Sequence, residues 1–205
     1  MSDQPAEVLA PDILGLIRRL HHSLERSGLP YAFGGALALA WCIPEPRTTR
    51  DVDLNIFIEA ESAEVAVAAL PPEIVATDAA KSELRTTGQT RLMCDTIPVD
   101  VFLTNDPFHT EVATRVVQHP FLGEQMPFLC CSDLAVFKAF FDRRKDWFDL
   151  GEMFEARSID LAEMTTLIAE LLEDPDDHRI AQLRQAHDDG ERTRLRRAAS
   201  DDGSS

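Results

Sequence analysis

A glycine pair and two alternating carboxylates constrain this chain more than any other feature. Gly34 and Gly35 follow a short apolar segment, and Asp51 and Asp53 begin a second one. The alternation over residues 52–58 predicts a strand, in which residues two apart face the same side. Both carboxylates then point the same way and repel each other unless a cation lies between them. The sequence therefore predicts a strand that presents a cation site.

The ligand chemistry indicates which cation this is. Carboxylate oxygens without sulfur or imidazole partners suit Mg2+ or Mn2+, which keep water and phosphate as further ligands. Asp100 interrupts the apolar strand predicted over residues 97–103, where a lone carboxylate is costly unless something compensates it. Asp100 is either an outward-facing edge residue or a third member of a carboxylate cluster.

Two further features favour a phosphate ligand beside this cation. Gly34 and Gly35 lie at a predicted strand-to-helix turn, where backbone N–H groups are unpaired and phosphate can approach closely. A simple tight turn is the alternative. Lys138 lies inside the apolar helical run 134–141, so its ammonium either extends to solvent or meets an anion in a cleft.

Charge and composition exclude several classes of protein. The formal net charge is −16, which argues against nucleic-acid binding through a general basic surface, although Arg143-Arg144-Lys145 is a local basic patch. The longest apolar run falls short of a membrane span, and the acidic start lacks the features of a secretory signal. We therefore expect a cytoplasmic protein with no membrane partner.

The cysteines and histidines show no metal-ligand spacing with one another. Irregular spacing and apolar neighbours predict buried thiols in a reducing compartment, rather than disulfides or a zinc site. The cysteines concerned are Cys42, Cys94, Cys130 and Cys131. The pair His21-His22 is expected to lie at the edge of a helix in a structural role.

The order of predicted elements is mixed α/β first and helical afterwards, which predicts one α/β core with a helical C-terminal portion. The last residues are polar and poor in apolar side chains, which predicts an unfolded tail. The predicted organisation is a flexible leader at 1–10, an α/β core at 11–131, a helical portion at 132–189 and a disordered tail at 190–205.

Together these motifs resemble the nucleotidyltransferase superfamily built on the DNA-polymerase-β-like palm. Within it, the sequence looks most like the minimal bacterial branch that includes the AbiEii-type toxins of abortive-infection systems. The resemblance covers about residues 30–156 and rests on motifs in a fixed order. These are Gly34-Gly35, Arg47-x-Thr49-x-Asp51-x-Asp53, Asp100, Asp133-Leu-Ala-Val-Phe-Lys138 and Arg143-Arg-Lys-Asp-Trp-Phe-Asp149. It implies an α/β (α+β) fold with a small mixed sheet flanked by helices.

The resemblance also implies a mechanism. Asp51 and Asp53 would hold two divalent metals, Mg2+ or Mn2+, that bridge the triphosphate of an NTP. Asp100 would share the metal beside the acceptor hydroxyl and help to deprotonate it for in-line attack. The implied nucleotide-binding residues are Gly34, Gly35, Arg47, Thr49 and Lys138. Arg47 or Arg50 would contact phosphate, or else pair with an acidic neighbour.

The implied activity is transfer of an NMP from an NTP to a hydroxyl on tRNA, a protein or a small molecule, in a toxin–antitoxin or phage-defence setting with a cognate partner protein. Two alternatives stay open. One is a non-catalytic module of the same fold, acting as an antitoxin or partner subunit. The other is a solvated acidic face on an unrelated α/β domain. One residue departs from the superfamily pattern: Ala36 follows the glycines where many members carry serine, so any phosphate contact there must come from backbone.

Overall fold

The computed structural model describes Ala6 and residues 9–202, with side chains described as far as residue 200. The chain folds into two compact units. The first contains the described residues up to Ala40 together with Pro46–Cys130, and the second contains Trp41–Glu45 together with the described residues from Cys131 onward. The predicted leader at 1–10 lies almost wholly outside the described residues.

The first unit is a mixed α/β layer structure, as the sequence predicts. Its strands are β1 (Tyr31–Phe33), β2 (Val52–Glu59), β3 (Gln89–Cys94), β4 (Ile97–Thr104), β5 (Val117–Phe121) and β6 (Glu124–Phe128). Its helices are α1 (Pro11–Ser27), α2 (Gly35–Leu39), α3 (Ala63–Ala68), α4 (Asp78–Thr87) and α5 (Pro107–Val112), with a 3-10 turn at Ala60–Ser62.

The strands form one six-stranded sheet in the order β3-β4-β2-β1-β6-β5. β2 runs parallel to β4 and antiparallel to β1, while β3 and β5 pair antiparallel with β4 and β6. Burial alternates along β3, since every second residue is buried. The central strand β2 is buried over most of its length, which fixes its register against β4.

Helix α1 shows why the local sequence forms these elements. Pro11 lies in its first turn, and Gly28 ends it in the left-handed conformation that favours glycine. Its buried stripe is Ile13, Leu16, Ile17, Leu20, His21 and Leu24, and this spacing is typical of one helix face.

The second unit is helical. Its helices are α6 (Cys131–Phe141), α7 (Arg144–Glu155), α8 (Leu161–Leu172) and α9 (His178–Asp202). The expectation that all the cysteines are thiols is wrong for two of them, because Cys42 and Cys131 form a disulfide with their Cα atoms 5.7 Å apart. Their sequence separation is 89, and spacing along the chain does not reveal such a pairing. Cys94 is a buried thiol.

The predicted disordered tail is also wrong within the described residues, since α9 continues to Asp202. Close backbone packing supports this helix: a side chain at Gly190 would lie 2.5 Å from the carbonyl oxygen of Gly151 in α7. Arg194 pairs with Glu191 at 2.5 Å, and Arg197 pairs with Glu155 at 3.1 Å. Low apolar content therefore does not prevent this helix from packing. No helix in the described part of the chain is both long and apolar enough to cross a membrane.

Candidate active site

The sheet places three acidic side chains on one face. Asp53 in β2 lies beside Asp100 in β4, because the two parallel strands pair these residues directly. Neighbouring strands are about 4.8 Å apart, so the two side chains are immediate neighbours. Asp51 precedes β2 by one residue and faces the same side as Asp53. We call Asp51, Asp53 and Asp100 the acidic row.

Arg91 in β3 extends this row by one strand, since it pairs with Asp100 across the antiparallel β3–β4 ladder. Its Nε and Nη2 donate to the Oδ1 and Oδ2 atoms of Asp100, both at 2.6 Å. The same Nη2 lies 3.9 Å from Oδ2 of Asp51. Hydrogen bonding and charge attraction from Asp100, with a contribution from Asp51 and Asp53, raise the pKa of the Arg91 guanidinium. Arg91 therefore supplies the positive charge between the carboxylates in this structure.

The acidic row is not drawn together as tightly as a closed metal site. In the part of the chain that the structure describes, only His21, His22 and Glu124 bring three such ligand atoms within 4.8 Å of one another. Like charges repel, and the guanidinium is a wide cation that keeps its two carboxylate partners apart. The row thus has the ligand chemistry of a magnesium site in a more open arrangement.

The glycine turn packs directly against this row. Gly35 adopts a φ of +52°, which side-chain-bearing residues rarely adopt, and a Cβ there would overlap the carboxylate of Asp53. The N–H of Gly34 donates to the backbone carbonyl of Asp53 at 2.9 Å. No side chain caps the start of α2. Glycine at position 35 is therefore what allows the turn and the carboxylate to lie in contact.

Two buried polar residues, Asn55 and His109, pack beside the glycine turn. Asn55 lies two residues after Asp53, and its Nδ2 would be 2.9 Å from a Cβ at Gly34. Its Oδ1 lies 3.1 Å from Nε2 of His109 in α5. Burial is the main cause that lowers the pKa of His109, so its imidazole is neutral near pH 7. These two side chains position the glycine turn against β2.

The remaining predicted residues of the first unit are Thr49, Arg47, Arg50 and Ala36. Thr49 donates a 2.6 Å hydrogen bond to Oδ1 of Asp51, which orients that carboxylate. Arg47 and Arg50 are exposed in the segment leading to β2, and phosphate binding by Arg47 stays a prediction. Ala36 supplies no hydroxyl at the glycine turn.

Lys138 belongs to the second unit and is buried there. Its Nζ donates to Oδ2 of Asp149 at 2.6 Å and lies 3.8 Å from Oδ1 of Asp146. Both aspartates are buried in α7, and Arg143 also donates to Asp146 at 2.6 Å. Of the two environments that the sequence leaves open, Lys138 therefore meets anions rather than solvent. Phosphate binding by Lys138 stays a prediction.

Sequence reasoning overlooked Arg91 and His109 and did not assign a role to Asn55. Arg91 lies on the exposed face of β3, in which buried and exposed residues alternate, and from the sequence it resembles an ordinary surface cation. Only the β3–β4 register shows that it opposes Asp100. Asn55 continues the alternation of Asp51 and Asp53, and this was the one signal that pointed to it.

The acidic row fits a divalent cation on the evidence of its surroundings. It offers oxygen donors alone, it lies beside a turn that a single Cβ would block, and it already holds a positively charged group. These are the donors that Mg2+ and Mn2+ prefer.

A glycine turn in contact with a carboxylate row on a mixed sheet is the arrangement expected of an enzyme that handles polyphosphate, and this chain is a nucleotidyltransferase. Residues 16–203 match the family described as nucleotidyl transferase AbiEii toxin, type IV toxin–antitoxin system. The chain belongs to the AbiEii nucleotidyltransferase toxin family, which confirms the resemblance proposed from the motifs.

Similar solved structures have low sequence identity. The antibiotic-resistance factor ANT(2'')-Ia is 11% identical, with a TM-score of 0.48 and 94% of each chain covered. An antigenic nucleotidyltransferase-like protein from Paracoccidioides brasiliensis is 16% identical, with a TM-score of 0.46, covering 86% of this chain and 94% of the other. JHP933 from Helicobacter pylori is 14% identical, with a TM-score of 0.45, covering 95% and 98%. No curated protein matches the sequence.

Proposed function

We propose that this protein is a metal-dependent nucleotidyltransferase that moves an NMP from an NTP to a hydroxyl acceptor, with pyrophosphate as the leaving group. Asp51, Asp53 and Asp100 would hold Mg2+ or Mn2+. The observation that carries the proposal is the direct pairing of Asp53 with Asp100 on adjacent parallel strands, beside the Gly35 turn. When bound, the cation neutralises phosphate charge and activates the attacking hydroxyl.

Each side chain of the acidic row has a distinct task in this proposal. Thr49 orients Asp51 through its 2.6 Å hydrogen bond, and the absence of a side chain at Gly35 leaves the space that the Asp53 carboxylate occupies. Asp100 accepts the proton of the acceptor hydroxyl, because a carboxylate within hydrogen-bond reach serves as a general base. Catalysis then depends mainly on positioning and on charge neutralisation.

Arg91 must release Asp100 before that carboxylate can act. The Arg91 side chain is 58% exposed, so breaking its ion pair with Asp100 costs little free energy. The guanidinium then leaves Asp100 and Asp51 to the divalent cation, with which it competes for these carboxylates.

The glycine turn supplies the second half of the site. Gly34 and Gly35 carry no side chain between the backbone of α2 and a phosphate, and Ala36 leaves recognition there to backbone N–H groups. Arg47 and Thr49 complete the proposed nucleotide-binding set of the first unit, and nucleotide binding by Lys138 stays a separate prediction.

The family match supports the proposed partner, whereas the acceptor and the location are proposals of their own. The family description names a type IV toxin–antitoxin system, which supports a cognate antitoxin as the partner. The proposed acceptor is a hydroxyl on tRNA, on a protein or on a small molecule. We place the reaction in the cytoplasm, where NTPs are made. The Cys42–Cys131 disulfide runs against that location, because disulfides are rare in reducing compartments.

The experiment is label transfer from each NTP in turn, with Mg2+ or Mn2+ and with tRNA, total protein and small-molecule fractions as acceptors. The double variant Asp51→Asn, Asp53→Asn should transfer at least ~100-fold more slowly. The matched control is Asp174→Asn, Asp176→Asn, which alters the other exposed Asp-x-Asp sequence and should transfer normally.

Transfer that survives in the acidic-row double variant would refute the site. Nucleotide binding without transfer by the native protein, across all three acceptor fractions, would favour the alternative of a non-catalytic module.

A further inference from the structure

A second cluster of metal-ligand side chains lies in the first unit and shares no residue with the acidic row. It consists of His21 and His22 in α1 and Glu124 at the start of β6. One ligand atom from each lies within 4.8 Å of the other two. Among the described residues this is the one group of three that meets that distance, so it needs an explanation beyond the proposed transfer reaction.

Both imidazoles direct the same nitrogen toward one carboxylate. Nε2 of His22 lies 2.8 Å from Oε2 and 3.1 Å from Oε1 of Glu124. Nε2 of His21 lies 3.6 Å from the same Oε2. Two ring nitrogens and one carboxylate thus converge on a common point at the junction of α1 with the β5–β6 hairpin.

The contacts of Tyr31 favour one tautomer of His21. The Tyr31 hydroxyl donates to Oε1 of Glu25 at 3.2 Å, so the hydroxyl oxygen is left to accept from Nδ1–H of His21, which contacts it. This arrangement favours a ring with its proton on Nδ1 and the Nε2 lone pair toward Glu124. A metal-bound histidine almost always donates its other ring N–H to such a partner.

His21 is buried, whereas His22 and Glu124 are partly exposed, so an ion can reach the cluster from solvent. Arg18 is the competing cation, with its Nε 3.8 Å from Oε1 of Glu124, and its side chain is half exposed and able to move aside.

We propose that His21, His22 and Glu124 form a binding site for a borderline transition-metal ion of the Zn2+ class. Two imidazoles and one carboxylate are zinc ligands, whereas Mg2+ prefers oxygen alone. His22 is 46% exposed, which leaves the fourth coordination position open to water or a further ligand. The ion would join α1 to the β5–β6 hairpin, in addition to the cation of the acidic row.

The test is titration of the metal-free full-length chain with Co2+ and Zn2+, followed by visible absorption and by competition with a chelating dye. The starting protein carries Asp51→Asn, Asp53→Asn and Asp100→Asn, so that the acidic row contributes no binding. We expect one Co2+ per chain with the visible bands of a four-coordinate imidazole site, displaced by Zn2+. Zn2+ should also raise the melting temperature.

Two ligand variants, His22→Gln and Glu124→Gln, should each abolish the visible bands. Both residues are at the surface, so the chain should still fold. Tyr31→Phe keeps all three ligands and removes the hydroxyl that contacts His21 Nδ1 and donates to Glu25, and it should weaken Zn2+ binding by ~10–100-fold. A merely structural histidine cluster would not respond to Tyr31→Phe in this assay.

The matched control is His178→Gln. His178 is an exposed histidine paired with Asp142 at 2.7 Å in the second unit, without a second histidine, and its loss should leave the titration unchanged. The proposal is overturned if the starting protein shows no bound Co2+ or Zn2+, or if His22→Gln binds as tightly as the starting protein.

Discussion

The two units each contain a cation held by two aspartates, and the two arrangements differ in their contact with water. Arg91 lies 58% exposed between Asp100 and Asp51 on the sheet of the first unit. Lys138 is 7% exposed and contacts Asp149 and Asp146, which are almost completely buried in the helical unit. The contact distances to the nearest carboxylate are the same, at 2.6 Å.

Exposure decides what each pair contributes. An exposed ion pair stabilises a protein by about 0–1 kcal/mol, so its cation can be exchanged for another with little loss. A buried pair is different, because removing one partner leaves an uncompensated charge at a cost of about 3–5 kcal/mol. The first arrangement is suited to binding and releasing ligands, whereas the second holds α6 against α7.

The largest expected effect is therefore on stability, from Lys138→Met. The free energy of unfolding should fall by about 3–5 kcal/mol, because Asp149 stays buried without its ammonium partner. Urea denaturation measures this loss. The double variant Lys138→Met, Asp149→Leu removes both charges and should recover most of the stability. A single variant as stable as the native protein would contradict the structural role of the pair.

The double variant also isolates the predicted role of Lys138 toward phosphate. If stability returns and nucleotide binding does not, Lys138 acts on the nucleotide as well as on the fold. If both return, the nucleotide-binding role of Lys138 is wrong.

Gly35→Ala should have the next largest effect. A left-handed conformation costs a side-chain-bearing residue about 1–2 kcal/mol, and the new Cβ also displaces the Asp53 carboxylate. We expect lower stability together with a strong loss of nucleotidyl transfer. Gly28→Ala is the control, since Gly28 also has a positive φ and a Cβ there meets nothing within 4 Å. It should lose stability alone. Equal transfer rates in the two variants would argue against contact between the glycine turn and the acidic row.

Arg91→Gln should change stability by only about 0–1 kcal/mol, which is the range of an exposed pair. It should also lower the Mg2+ concentration needed for half-maximal nucleotide binding, because the guanidinium no longer competes for Asp100 and Asp51. Isothermal titration with a nonhydrolysable NTP measures this shift. A higher Mg2+ requirement would show that Arg91 assists metal binding rather than competing with it.

The smallest effect is on the pH dependence of stability. Burial lowers the pKa of His109 below 6.5 in the folded state, so the unfolded chain binds more protons as the pH falls. The free energy of unfolding should therefore decrease as the pH drops below about 6.5, and His21 and His119 act in the same direction. His109→Gln should make this decrease shallower in denaturation series between neutral and mildly acidic pH. An unchanged slope would contradict the buried neutral imidazole.

Features that lie within one segment could be predicted from the sequence, whereas contacts between distant segments could not. Local patterns predicted two strands, β2 from alternation and β4 from an apolar run, and they predicted the common direction of Asp51 and Asp53. Pairing between distant segments was not available from local patterns. Arg91 meets Asp100 only through the β3–β4 register, and Cys42 meets Cys131 across a separation of 89.

The helix over residues 190–202 was overlooked for a related reason. Composition indicates how much apolar surface a segment can bury, and this segment buries little. It is held instead by the close approach of Gly190 to Gly151 and by ion pairs such as Arg197 with Glu155. Neither contact can be predicted from local hydrophobicity.

Mn2+ binding in the presence of nucleotide tests whether the acidic row is the exchangeable cation site, and the loss of the electron paramagnetic resonance signal of free Mn2+ measures it. Asp51→Asn, Asp53→Asn and Asp100→Asn together should abolish nucleotide-dependent Mn2+ binding. Glu124→Gln should retain it, because Glu124 lies outside the acidic row. Equal Mn2+ binding by the native protein and the triple variant would contradict a cation site at the acidic row.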